Sequence, residues 1–530
     1  MKNVVIILSL FLLLPLTAQE TTSEKQWRED ILFLQKTVNE EYPFLFKKVT
    51  AKEFNDAAKA LYQQVPSLEE HEIVVGMSRL VSLFKYGHTY VSFHQKAFEF
   101  SQFPFNLYEF SDGIYIEGTH KNYPKAVGAK VIAVEGTPIS EVLKAVEPTV
   151  EVENPQYFKA YGINNIRYPE VLHAQGITKT LQSSITLTLE QNGKTFEQEF
   201  EILPNQTRVP TTYGFVQQKD DWLSARKQEA TPLYLQKLDK IYFYEYLPKH
   251  RTVYVRHSKV RNDPSESMEA FYKRVFEFIE NNDVEKLVID VRLNGGGNNY
   301  LLKPVITGII ETKKINQKGK LFVITGRRTF SACQNFVNRL DSYTNAVFVG
   351  EPTAENVNFY GDNRSVKLPN SKLDVKLSFA WWQDKEPWTY DPWMAPQLSA
   401  DMSFAQYANN EDPVLESIFS FDSEGFILRP MDHIRTLFMQ GDMATLQKDV
   451  AMMLQNPRYK FFDFERKFIN SGKLLYDQAQ YQAAIGVFSL ITQSFPNSKE
   501  AWNYLGHSYA KLGAADKAQA FYDKAKGIQN

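Results

Sequence analysis

Cysteine is almost missing from this chain: Cys333 is the one thiol in 530 residues. No intrachain disulfide can form, and no metal site built on paired cysteines is possible. An excess of either charge is missing too, with 60 Lys and Arg against 62 Asp and Glu and a formal net charge of −2. That balance gives no general pull toward nucleic acid or anionic lipid, and no basic tract stands out, so nucleic acid is excluded as the main partner. Apolar runs long enough to cross a membrane are absent. Val4 to Leu14 is the longest run, and it falls short of the ~20 residues a spanning helix needs.

That run has the form of a secretory signal. Lys2 precedes it, and Leu16-Thr17-Ala18 ends in a small residue. Residues 1–18 are therefore expected to be a cleaved signal peptide, leaving no stable membrane span. No cysteine follows the cleavage site to take a lipid. A secreted chain without disulfides fits a bacterial periplasm or cell exterior.

With 43% apolar and 23% charged residues the chain is globular, and its length calls for several cores. Apolar residues recur at helical spacing from Trp27 to Phe84, predicting a helical domain over 19–98. Ser67 with Glu70 reads there as a capping box opening the third helix. Short alternating segments follow, closing in a hairpin about Gln191-Asn192-Gly193, so 99–205 is expected to be β-rich. Over 206–425 buried strands alternate with amphipathic helices, which predicts a mainly parallel α/β sheet. Residues 426–530 are expected to be helical. Trp502, Leu505, Gly506, Tyr509, Ala518, Tyr522 and Ala525 fit the tetratricopeptide template, with traces one period earlier. Two such units are too few to stand alone, so the module is expected to dock on its neighbour and to offer a surface for a protein partner.

Three segments carry chemistry. Leu287–Arg292 is a buried run ending in Leu293-Asn294-Gly295-Gly296-Gly297, and glycines there uncover backbone N–H groups that can face an oxyanion. Leu321–Gly326 leads to Thr329-Phe330-Ser331-Ala332, a hydroxyl at a strand-to-helix junction. Tyr86-Gly87-His88-Thr89-Tyr90 lies far upstream and offers an imidazole base. Each has a plainer reading: an N-cap serine, a tight turn, a structural histidine. The glycine turn lacks the Gly-Lys-Ser/Thr of a phosphate loop. Gly506-His507-Ser508-Tyr509-Ala510 mimics a nucleophile elbow without its last glycine and sits inside a repeat helix. His71-Glu72 lacks the second histidine of a zinc-peptidase helix, so neither metal nor cofactor is expected. Trp381, Trp382, Trp388 and Trp393 read equally as hairpin packing or as an apolar wall beside a groove.

Asp290–Gly297, Thr329–Ala332 and Gly350-Glu351-Pro352-Thr353, with Gly87-His88-Thr89, resemble the tail-specific (C-terminal-processing) serine peptidases, in particular their tricorn-core and retinoid-binding-protein-like branch. The resemblance spans about residues 25–425. It implies an α/β fold with a crotonase-like peptidase core, a helical N-terminal domain, a PDZ-like β-rich domain and C-terminal α-helical repeats. It implies Ser331 as nucleophile, His88 as general base, and an oxyanion hole from the N–H groups of Ala332 and Gly296. Asp391 is a candidate to orient the site, with a turn residue before Pro392 as the alternative. The expected substrate is a peptide or protein. Three departures matter: Asn356 stands where many members carry a dyad lysine, Cys333-Gln334 follows the nucleophile segment where the family usually reads Ser-Glu, and Gly87 stands where a helper serine can precede the histidine. They leave a catalytically weak or inactive peptide-binding scaffold as the alternative to a serine endopeptidase, and an esterase would use the same groups.

Overall fold

The computed structural model describes residues 22–204, 207–422 and 426–528, so the expected signal peptide lies outside the described residues. The fold is mixed α/β, built from an N-terminal helical layer, a β-rich domain, a central sheet and a C-terminal helical module.

Helices Glu24–Glu41, Ala51–Gln64 and Glu70–Ser82 form the N-terminal layer. Capping boxes open the first two, Ser23 with Gln26 and Thr50 with Glu53, each satisfying orphan backbone donors. The third starts later than its sequence suggests. Ser67 lies in a separate 3-10 turn and bonds back to the Gln64 carbonyl, and the N-cap is Glu69.

Gly113–His120, Lys130–Val134, Ser184–Gln191 and Lys194–Glu201 form the spine of an antiparallel sheet, with Phe105–Phe110 also on Gly113–His120. Trp222–Ser224 adds to the same sheet, so its pairing extends past residue 205 into chain assigned from sequence to the α/β unit. Helix Ile139–Val146 packs its buried Val142 and Val146 into a core shared with the N-terminal helices.

The central sheet runs Tyr242–Leu247, Thr252–His257, Lys286–Asp290, Leu321–Thr325, Val347–Gly350 and Leu398–Ser399. Its first pair is antiparallel and the rest are parallel, in register Val255↔Ile289, Ile289↔Val323 and Val323↔Phe348. Parallel strands must be buried on both faces, which is why these segments are almost uninterrupted Val, Ile, Leu and Phe. Val253, Leu287, Ile289, Val323 and Phe348 share a core with helices Met268–Asn281, Lys303–Glu311 and Ala332–Tyr343. On the opposite face Tyr254, Val288, Phe322, Ile324 and Val349 share a core with the C-terminal helices. Those run from Pro430–Gln440 to Ala515–Gly527, and the last four pack in chain order, each on the next. The module is thus continuous with the sheet's core. Ser508 is buried there and its hydroxyl is spent on the Tyr504 carbonyl, so the elbow-like pentapeptide has no free nucleophile.

A hairpin, Asn358–Lys367 with Asp374–Gln383, leaves the central sheet and reaches the N-terminal layer. Tyr90–Val91 pairs with it, Tyr90 opposite Lys376 and Val91 opposite Val375. This pairing carries the His88 turn to the central sheet. Trp381 packs on Tyr360 with ring centroids 4.9 Å apart, and the Trp382 indole N–H bonds to Asp362 at 3.2 Å. Trp388 and Trp381 remain largely exposed.

Candidate active site

Three successive parallel strands deliver three functional segments to one edge of the sheet. Lys286–Asp290 leads to the glycine turn, Leu321–Thr325 to Ser331, and Val347–Gly350 to Glu355. The carboxyl ends of parallel strands are where such folds assemble sites.

Ser331 is the N-cap of helix Ala332–Tyr343 and has φ 57°, ψ −130°. A serine held in the left-handed half of conformational space is strained, and the turn around it is tied down on several sides. Thr329 Oγ1 donates to the Val291 carbonyl at 3.0 Å and accepts the Gly326 N–H at 3.0 Å. The Phe330 N–H reaches the Asn294 carbonyl at 3.2 Å, fastening the serine turn to the glycine turn.

His88 Nε2 lies 3.0 Å from Ser331 Oγ, although 243 positions separate them in sequence. Its neighbours fix it. Thr89 Oγ1 accepts the Ser378 N–H at 3.0 Å, the Gly87 N–H donates to Glu153 at 3.0 Å, and the Tyr157 hydroxyl donates to the Gly87 carbonyl at 3.1 Å. The imidazole is stacked on Phe330 (4.7 Å, 18°) and faces Phe359 on its other side (6.2 Å, 13°). Burial between these rings pushes its pKa below the ordinary histidine value.

Behind the histidine stands Glu355, fully buried. One carboxylate oxygen accepts the Ser331 N–H, and the other lies 3.4 Å from His88 Nδ1. Both that oxygen and Nδ1 are buried with no other partner, so a shift of about half an ångström completes a bond between them. Burial raises the Glu355 pKa well above the carboxylate range. Ser331, His88 and Glu355 therefore form a hydroxyl–imidazole–carboxylate chain. Glu355 was not among the residues singled out from sequence. The one local signal is an acidic residue shortly after the buried strand Val347–Gly350.

Asp391 takes no part in this chain. Its carboxylate is held by Arg466 and by Lys467 (3.0 Å), both from the C-terminal module, while its carbonyl accepts the Val357 N–H at 3.2 Å. Asp391 is thus paired with that module, and the carboxylate that faces His88 belongs to Glu355.

The oxyanion donors also need revision. Ala332 N–H, at the first turn of its helix, has no recorded bond among the described residues. The Gly296 N–H is already donated to Asn294 Oδ1 at 2.9 Å, so it is not free for a substrate. Gly296 instead provides clearance, since a Cβ there would sit 2.6 Å from Ser331 Cβ and 2.9 Å from Ala332 N. The next amide, that of Gly297, is not used in the bridge to Val260. Val260 forms a parallel bridge with Gly297, bonding the Gly296 carbonyl and the Asn298 N–H. In such a bridge the middle residue's own N–H points the opposite way. Gly297, with φ 145°, thus turns its N–H away from Val260.

Asn356 is a structural donor. Its side-chain N–H reaches Glu153 at 2.7 Å, and the other oxygen of Glu153 takes the Gly87 N–H. One buried carboxyl, raised to about 7 chiefly by burial, thereby clamps the histidine segment to the Glu355 segment. Lys48 approaches this clamp at 4.0 Å but donates to the Lys85 carbonyl at 2.7 Å, so it does not replace a dyad lysine at Ser331.

Residues 251–385 match the family described as peptidase family S41. No curated protein matches the chain. Solved structures that align with the chain include mature CPAF complexed with lactacystin, at 13% identity, covering 74% of this chain and 97% of that one, with a TM-score of 0.49. A putative peptidase from Parabacteroides merdae gives 13% identity, 76% and 99% coverage and a TM-score of 0.39. The photosystem II D1 C-terminal processing protease gives 14% identity, 72% and 94% coverage and a TM-score of 0.33.

Proposed function

We propose, from the premise that this chain carries a peptidase family S41 domain, that it is a secreted serine endopeptidase working through Ser331, His88 and Glu355. The observation that carries the reading is the 3.0 Å approach of His88 Nε2 to Ser331 Oγ, with a buried carboxylate behind the ring.

Ser331 Oγ attacks the peptide carbonyl while His88 Nε2 takes its proton. The Nδ1–H faces Glu355, which fixes the tautomer whose Nε2 lone pair points at the hydroxyl and stabilises the imidazolium once it forms. The tetrahedral oxyanion lies against the N–H groups of Ala332 and Gly297. His88 then returns the proton to the leaving amine, and water repeats the sequence on the acyl-enzyme. Asn356 is no obstacle, because the base is an imidazole and Asn356 serves the Glu153 clamp.

A fluorophosphonate probe and an unfolded protein substrate test this together. The native chain labels and hydrolyses, and Ser331→Ala does neither. Hydrolysis unchanged in Ser331→Ala refutes the mechanism. Absence of labelling in the native chain, with measurable peptide binding, supports a peptide-binding scaffold instead.

A further inference from the structure

His71 opens helix Glu70–Ser82, and His173 lies in the last turn of Pro169–Ala174, a helix packed against it. The two histidines are 102 positions apart, yet His71 Nε2 and His173 Nδ1 face each other at 2.8 Å. Their rings are tilted by 34° with centroids 5.1 Å apart. The His71 side chain is only 11% exposed, and Glu69 Oε2, at the solvent side, lies 3.7 Å from its Nδ1. One donor atom from each of Glu69, His71 and His173 lies within 4.8 Å of the others.

Two facing ring nitrogens at this distance accept one proton between them and repel if both carry one. A cation of borderline softness satisfies both lone pairs. Bonds of about 2.0–2.1 Å at a tetrahedral metal place two nitrogens roughly 3.3 Å apart, so the rings must part by about half an ångström and turn until both lone pairs converge on the metal. Two imidazoles and one carboxylate suit Zn²⁺ rather than Ca²⁺ or Mg²⁺, which take oxygen. The exposed Glu69 carboxylate, which caps the Glu72 N–H, would give up that contact to reach the metal, leaving a fourth position to water.

We propose that Glu69, His71 and His173 form a divalent-metal site of zinc type, separate from Ser331. Helical rise puts Ser82 about 16 Å beyond His71, and His88 lies past that end. The site therefore staples the helix that feeds the His88 turn to the β-rich domain, and it takes no part in the chemistry.

The full chain, stripped with a chelator, is titrated with Zn²⁺ by calorimetry and with Co²⁺ by visible absorption. One equivalent binds, Co²⁺ gives the intense bands of a four-coordinate site, and Zn²⁺ raises Tm. In His173→Gln and His71→Gln, affinity drops by at least the ~10–100-fold that outer ligand partners alone are worth, and the Tm rise is lost. Unchanged affinity and spectrum in both variants would overturn the site and leave a plain imidazole hydrogen bond. Where a histidine variant misfolds, Glu69→Gln at an exposed carboxylate carries the test. A weaker complex and an altered Co²⁺ spectrum support the site, and an identical titration refutes it.

Discussion

Replacing Glu355 by glutamine changes one atom and tests the whole reading of the site. The carboxylate has two acceptors in use or in reach: one for the Ser331 N–H, the other 3.4 Å from His88 Nδ1. Glutamine has one acceptor and one donor. If its oxygen stays on the Ser331 amide, its NH₂ faces Nδ1. Nδ1 must then accept, the ring proton moves to Nε2, and Nε2 can no longer take the serine proton. If the amide flips, two donors meet at Ser331 N. Either arrangement disables the base. Conversion of a triad carboxylate to an amide costs about 10⁴ in rate, and a general base contributes 10²–10⁴. Glu355→Gln is therefore expected to lower kcat/KM by about 10²–10⁴, or roughly 3–5 kcal/mol of transition-state stabilisation. The assay is steady-state cleavage of an internally quenched peptide, with circular dichroism and Tm as folding controls. Tm is not expected to fall as activity does, because glutamine keeps the volume and one acceptor for the Ser331 N–H. A folded variant within threefold of the native kcat/KM across the pH range would refute the triad.

Three further outcomes follow from the same geometry. Burial lowers the His88 pKa, so the base stays neutral below the ordinary histidine value, and the acid limb of kcat/KM against pH is expected below pH 6.5; a limb well above it contradicts the buried base. Gly87→Ser, which places a serine before the histidine, is expected to abolish activity, because a Cβ there would lie 2.5 Å from Tyr157 and 2.7 Å from Phe330; wild-type rates would show that the turn has room. Glu117, buried among Asn106, Val216 and Tyr407, is raised to about 7 by burial against about 4.5 when unfolded. The folded state then holds the extra proton, so stability is fullest below about pH 4.5 and is lost as pH rises through 7, by roughly 3 kcal/mol from this group. Glu117→Gln is expected to flatten that part of the denaturation profile, since Tyr407 can turn from donor to acceptor; an unchanged slope refutes the assignment.

What could be read from sequence divides along a physical line. The serine and glycine turns announce themselves locally: buried runs Leu287–Val291 and Leu321–Thr325 end where backbone must turn sharply, and the residues that do it are Gly295–Gly297 and Ser331. Which glycine amide faces the substrate is not local. It depends on Val260, a neighbour across a bridge, and on the Asn294 side chain that takes the Gly296 N–H. Glu355 was hidden for a related reason. Its segment lacks a lysine at 356, and the clamp that Asn356 forms instead depends on Glu153, over two hundred positions away. Asp391 shows the converse: a turn acid near the site in sequence is claimed by Arg466 and Lys467 from a module that sequence treats as separate. His71 and His173 follow the same rule, each unremarkable alone. Motifs show where the backbone of a site must be, whereas the protonation state of its histidine is decided by buried carboxyls whose positions only the folded chain supplies.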